Sequence, residues 1–197
     1  MKHTWVFLIL VILGASACQR KQAQSVPAGQ IPAEQVPVEQ IGVTAVMSVA
    51  STGFSADSLI PKKFTCDGED LSPPLHWSDV PRGTKSFALI CDDPDAPGGT
   101  WVHWVMWGIP AESIALPEGL KSDSSLPGEA RQGTNSWGKT GYGGPCPPRG
   151  KPHRYYFKVY ALDTMIQPAG APNKAAVEKA MQGHILAQAQ IMGKYGR

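Results

Sequence analysis

The chain has 197 residues and a formal net charge of +2. That is room for one domain of ordinary size with a tail, and it gives no basic field suited to general nucleic-acid binding. Gly (21) and Pro (18) make up about a fifth of the chain, against roughly 12 % in an average protein; both break helix interiors, so a helical bundle or coiled coil is disfavoured. Hydrophobic residues are 42 %, enough for a packed core, so the composition is that of a loop-rich β protein and not of a disordered chain.

The N-terminus reads as an export signal. Lys2 gives a positive start, residues 5–13 an apolar centre, and Gly14-Ala15-Ser16-Ala17 a small-residue exit. The apolar centre is too short to span a bilayer, which takes about 20 residues. Cys18 follows directly. The segment resembles a lipobox, with Ala15 where Leu is usual, so Cys18 is expected to be acylated in a bacterial lipoprotein of the cell envelope. The alternative is ordinary cleavage after Ala15-Ser16-Ala17 and a soluble secreted or periplasmic protein. Gln19 stands where an Asp would signal inner-membrane retention, so the outer membrane is expected if the cell has one. Acylation anchors because each buried CH₂ adds about 0.8 kcal/mol.

Residues 18–45 read as a tether. Pro27, Pro32 and Pro37 fall at the same place in three five-residue repeats, which forbids helix and blocks central-strand pairing. Such a segment extends at about 3.1 Å per residue where it is polyproline-like. The organisation expected is a signal peptide over 1–17, a lipidated cysteine and tether over 18–45, and a folded domain over 46–197.

Within that domain, apolar runs are short and separated by turn signals. Residues 87–91 and 101–109 are strand candidates, the second closed by Pro110. Over 154–162, Tyr155, Phe157, Val159 and Ala161 share one face while Tyr156, Lys158 and Tyr160 share the other, the period of a strand. Asn173 is placed to cap a helix over 174–182 that Gly183 stops. Residues 184–195 suit either state; the alternation of Ile185, Ala187, Ala189 and Ile191 with Gln188 and Gln190 favours a strand. Residues 111–150 read as Gly/Pro/Ser-rich loop, where sites tend to sit.

Two segments carry chemistry. Asp92-Asp93-Pro94-Asp95-Ala96-Pro97 leaves one strand and Trp101-Val102-His103-Trp104 returns as the next, bringing Asp93 and Asp95 near His103. Gly141-Tyr142-Gly143-Gly144-Pro145-Cys146-Pro147-Pro148 likewise feeds a strand that opens with His153-Arg154-Tyr155. Taken singly, each is ordinary turn chemistry. In this order and spacing they resemble the two signature regions of the phosphatidylethanolamine-binding protein family, in its bacterial Raf-kinase-inhibitor-like branch. The resemblance extends through Phe64-Thr65-Cys66-Asp67-Gly68, Ser72-Pro73-Pro74-Leu75 with Trp77, Tyr155-Tyr156-Phe157 and Gly183-His184.

The resemblance implies a mostly β fold of two packed antiparallel sheets with short peripheral helices, and a pocket for small anions such as phosphate or a phospholipid headgroup. By motif position the pocket would use Asp93, Asp95, Pro97, His103, Gly144, Pro145, His153 and Tyr155, with Trp101 at the rim. Carboxylates beside a phosphate should repel it. The conflict is removed if Asp93 or Asp95 accepts a hydrogen bond from a histidine and favours imidazolium. His103 and His153 would then donate to phosphate oxygens, joined by the Tyr155 hydroxyl and backbone N–H groups of Gly143 and Gly144. Affinity for phosphate is then expected to rise as pH falls through about 6–7.

No catalysis and no cofactor are expected. The His and Asp spacing matches no dense metal motif, and Ser136 has no Gly-x-Ser-x-Gly turn around it. The rival readings are a protein-binding inhibitor of a protease, kinase or host protein, and a hydrolase or metal-dependent enzyme using the same pocket. The expected partners are a small anion or headgroup, a membrane through acylated Cys18, and a protein target or a second copy of the chain. In an oxidising compartment one disulfide is allowed among Cys66, Cys91 and Cys146. Cys66–Cys146 is favoured because both flank the loops that would frame the pocket, while Cys91 lies in an apolar strand. Trp77, Trp104 and Trp107 read as core, His184 as a hydrogen-bonded packing residue and His76 as exposed. Arg154 is left open between an ion pair and the anion.

Overall fold

The structure, a computed structural model, describes residues 46–120, 126–170 and 172–197. The expected signal peptide, Cys18 and the proline repeats lie outside the described residues. The elements in chain order are β1 (Ser48–Ala50), β2 (Leu75–Ser78), β3 (Ser86–Asp93), β4 (Trp101–Pro110), β5 (Ala115–Leu116), β6 (Arg131–Gln132), β7 (His153–Leu162), α1 (Lys174–Met181) and β8 (Ile185–Tyr195), with a 3₁₀ turn at Lys62–Phe64. They form two antiparallel sheets. One has three strands in the order β1-β2-β5, the other five in the order β6-β4-β3-β7-β8.

β3 is the centre of the larger sheet and is buried along its whole length. Its unbroken apolar run reflects cover on both faces. On one face Phe87, Leu89 and Cys91 join Trp104, Met106, Tyr155, Phe157 and Val159, and meet Leu75, Trp77 and Leu116 of the smaller sheet. On the other face Ala88, Ile90, Val105 and Leu162 are covered by Val177 and Met181 of α1 and by Ile166. The order of layers is thus sheet, sheet, helix. The alternation read over 154–162 is the division of β7 between these two cores.

α1 starts where Asn173 places its side-chain oxygen 3.0 Å from the Ala176 N–H, satisfying one of the donors that a helix N-terminus leaves open. Gly183 then takes φ +79°, a left-handed conformation that glycine adopts without strain. The chain turns back as β8, which pairs with β7 from His153↔Tyr195 to Leu162↔Ile185. The alternating pattern of 184–195, and not its helix-compatible Ala and Gln content, decides its state, because an unpaired β7 edge lies within reach. The 111–150 stretch is not all loop: β5 adds to the smaller sheet through Leu75↔Leu116, and β6 to the larger through Met106↔Gln132.

Candidate functional site

The Asp92–Pro97 turn joins β3 to β4, and the loop before His153 feeds β7, so both motifs meet at one end of the larger sheet. There a cavity of about 200 Å³ opens between them. Asp93, Pro97, Trp101, His103, His153 and Tyr155 line it, together with Ala96, Trp137, Cys146, Pro147 and Pro148. Its floor is polar and buried: Asp93 is 3 % exposed, His103 2 % and Tyr155 0 %. Its rim is aromatic. Trp101 and Trp137 are exposed, and their rings meet edge to face at 5.4 Å.

Asp93 and His153 form the central pair. His153 Nδ1 lies 2.7 Å from Asp93 Oδ2, while Asp93 Oδ1 accepts the Asp95 backbone N–H at 2.8 Å. Both carboxylate oxygens therefore have donors, and the carboxylate's charge is directed at the imidazole. With Nδ1 taken, Nε2 is the His153 nitrogen left for the cavity. Tyr155 lines the same cavity, and its hydroxyl is buried without a partner among the described residues. Burial and the Asp93 charge hold the Tyr155 phenol far above its ordinary pKa, so it stays a neutral hydroxyl and keeps its proton to donate.

His103 is held differently. Its Nδ1 lies 2.7 Å from the Gly143 carbonyl oxygen, and the Gly143 N–H donates back to the His103 carbonyl at 2.9 Å. Burial pushes its pKa down, so the ring is held neutral. Two expectations are corrected here. His103 is oriented by a carbonyl and not by a carboxylate, so it is not a second imidazolium. The Gly143 and Gly144 N–H groups are not available to an anion: Gly144 donates to Asp70 Oδ1 at 2.6 Å.

Asp95, Gly144 and Pro145 lie outside this cavity. Asp95 is clamped by Arg154, with Nε 2.9 Å from Oδ2, Nη2 2.7 Å from Oδ1, and the Arg154 backbone N–H 3.0 Å from Oδ2. The guanidinium holds the Asp95 carboxyl at about 2. The pair fastens the turn to the start of β7, which resolves Arg154 as an ion-pair residue. Gly144 packs where a Cβ would sit 2.5 Å from the Phe64 carbonyl oxygen and 2.8 Å from Thr65 Cα. It lines a neighbouring cavity of about 210 Å³ with Asp70, Asn135 and Lys139. Pro145 accepts the Cys66 N–H through its carbonyl at 3.2 Å. The structure joins Cys66 to Cys146, and Cys91 is free and buried. Cys146 and Trp137 separate the two cavities, touching both. Among the described residues no group of three or more His, Cys, Asp or Glu side chains is arranged to hold a metal ion.

Sequence reasoning missed Trp137, Ala96, Pro147 and Pro148 as wall residues. Trp137 reaches the site because Asn135 Oδ1 accepts the Trp137 and Lys139 N–H groups in a tight turn, at 3.0 and 3.1 Å. The Asn135-Ser136-Trp137-Gly138 stretch carried that turn signal, but nothing in it named the partner strand.

The model of the family described as phosphatidylethanolamine-binding protein matches residues 50–196. The chain belongs to the phosphatidylethanolamine-binding protein family. Its relatives in this family include a UPF0098 protein of Aquifex aeolicus, 52 % identical over 156 residues, 78 % of this chain and 90 % of the relative. A UPF0098 protein of Methanothermobacter thermautotrophicus is 47 % identical over 151 residues, 77 % of this chain and 99 % of that one. Among solved structures, Escherichia coli YBCL, described as a member of the mammalian PEBP family, is similar with a TM-score of 0.73 and 39 % identity, covering 78 % of this chain and 99 % of that chain. A Chlamydia trachomatis protein named as a phosphatidylethanolamine-binding protein homologue gives a TM-score of 0.70 and 41 % identity, covering 77 % and 98 %. The two-sheet architecture with one helix is thus the fold of the family, in the branch that holds these bacterial and archaeal proteins.

Proposed function

We propose that this family member binds a small anion, phosphate or the phosphate of a phospholipid headgroup, in the Asp93–His153–Tyr155 cavity, and that it does so without catalysis. The observation that carries the reading is the Tyr155 hydroxyl, buried in the cavity floor with no partner among the described residues. A buried hydroxyl without a hydrogen bond costs about 1–3 kcal/mol, and an anion seated in the cavity offsets that cost. His153 supplies the charge: protonated, it donates Nδ1–H to Asp93 and Nε2–H to the anion, a charge-assisted bond of about 1.5–3 kcal/mol. Asp93 thus belongs to the site without touching the anion, which removes the repulsion that two carboxylates would impose.

The chain's destination is part of the same proposal: export, acylation of Cys18 and a site held at the cell envelope. The Cys66–Cys146 disulfide supports an oxidising compartment. Native mass spectrometry of the protein purified from its own membranes tests both parts. The expected spectrum shows a co-purifying phosphate- or headgroup-sized ligand, lost in His153→Ala, and acyl chains on Cys18. An empty cavity that also ignores added phosphate would refute the binding function and favour a protein-binding inhibitor.

A further inference from the structure

His103 is locked as one tautomer. Its Nδ1 faces the Gly143 carbonyl oxygen at 2.7 Å, and a carbonyl only accepts, so the ring proton sits on Nδ1. The ring is 2 % exposed. Burial disfavours a second proton more than the nearby Asp93 and Asp70 carboxylates favour one. The nitrogen left for the cavity that His103 lines, Nε2, then carries a lone pair. Tyr155 and Trp137 flank the ring edge to face at 5.1 and 5.0 Å, so it has little room to turn over. Beside it in the cavity wall stands the Asp93 carboxylate.

The cavity therefore presents acceptors as well as donors. The Tyr155 hydroxyl can donate, as can His153 Nε2 where that ring is imidazolium; His103 Nε2 can only accept. An oxyanion with no proton would set an oxygen lone pair against the His103 lone pair. An oxyanion carrying one proton satisfies every group at once. We infer, on the anion-binding reading above, that the site selects oxyanions that bring their own O–H: hydrogen phosphate and phosphate monoesters, the P–OH donating to His103 Nε2 while the other oxygens accept from His153 and Tyr155. Sulfate and phosphodiesters have similar size and shape but no such proton, and the site discriminates against them. This separates two sources of one chemistry, because a free phosphate or monoester has the P–OH and the diester of an intact lipid headgroup does not.

The test is calorimetric titration of the full chain at about pH 6, where a phosphate monoester with a second pKa near 6 is about half in its P–OH form. The probes are methyl phosphate, inorganic phosphate, sulfate, dimethyl phosphate and glycerophosphoethanolamine. The expected result is at least about tenfold tighter binding of the first two than of the other three, a difference of roughly 1.4 kcal/mol. In His103→Gln the side-chain amide can present an N–H instead, and the gap narrows to about threefold or less. On the unaltered chain, imidazole ¹⁵N NMR should find His103 Nε2 without a proton, and shifted when methyl phosphate binds. Equal affinity for methyl phosphate and sulfate, or for methyl phosphate and glycerophosphoethanolamine, would overturn the selectivity while leaving the anion site standing. A protonated Nε2 in the free protein would also overturn it. Failure of all five probes to bind would remove the anion site itself.

Discussion

Asp92 and Asp93 end β3, Asp95 lies in the turn beyond it, and the three have different jobs. Asp92 points to the helix side of the sheet, where Lys158 and Lys174 hold it at 2.8 and 2.6 Å. Asp93 points to the other side and orients His153. Asp95, beyond the strand, clamps Arg154. The division follows from the period of two along β3, which sends neighbouring side chains to opposite faces. At this scale Tyr155 separates binding from folding. Tyr155→Phe removes a hydroxyl that has no partner among the described residues, so the fold should keep its stability or gain up to about 1 kcal/mol, while phosphate affinity falls about tenfold. Thermal melting beside calorimetry checks this; a strongly destabilised variant would mean that the hydroxyl serves the fold. His103 adds a dependence on pH. Burial holds its folded pKa below the unfolded value, which is about 6.5. The unfolded chain then takes up the proton first, so the stability from neutral His103 is complete above about 6.5 and is lost as pH falls below it. Urea midpoints should drop between about pH 7.5 and 5.5, and drop less steeply in His103→Gln; an equal slope in both would show that His103 is not the titrating group.

The two motif loops are positioned by different devices, and only one was legible in the sequence. The Asp-Pro-Asp turn sits between two strands whose apolar runs and order were plain, so Asp93, His103 and their meeting at one sheet end could be read. The Gly143–Pro145 loop is held instead by long-range bonds: Gly144 N–H to Asp70, the Tyr142 hydroxyl to the Phe64 carbonyl at 2.8 Å, and the disulfide from Cys66 to Cys146. Such partners leave no local periodicity. The family resemblance named Gly144 and Pro145 as ligand-binding, whereas the geometry gives Gly144 a packing role, since any side chain there meets the Phe64 and Thr65 backbone. The disulfide closes a sequence separation of 80 residues, a loop for which the chain-entropy model gives about 4.5 kcal/mol. The double variant Cys66→Ser/Cys146→Ser should therefore melt well below the parent and bind phosphate more weakly, because Cys146 lines the cavity. Unchanged melting would show that the loop is held without it.

For the whole molecule, a loop-rich β domain was readable because composition, alternation and turn signals agreed over 46–197, while the two packed sheets were what the family resemblance implied. The short strands β5 and β6 were not readable, since two residues each give no period to detect. Trp137 as a wall of the cavity was likewise invisible, because it lies in a turn outside the strands, 34 residues along the chain from the His103 ring it meets. The proposed residence at the cell envelope rests on Cys18. Cys18→Ser should move the protein from the membrane to the soluble fraction without changing its melting temperature or phosphate affinity; a variant that stays with the membrane would remove the lipid anchor from the account. The central claim is that the Asp93–His153–Tyr155 cavity is an anion site, and calorimetric titration of the full chain with inorganic phosphate at about pH 6 meets it most directly. The account predicts saturable binding at one site per chain, weakened at least about tenfold in His153→Ala. Binding that His153→Ala leaves unchanged, or no binding in the parent chain, would contradict it.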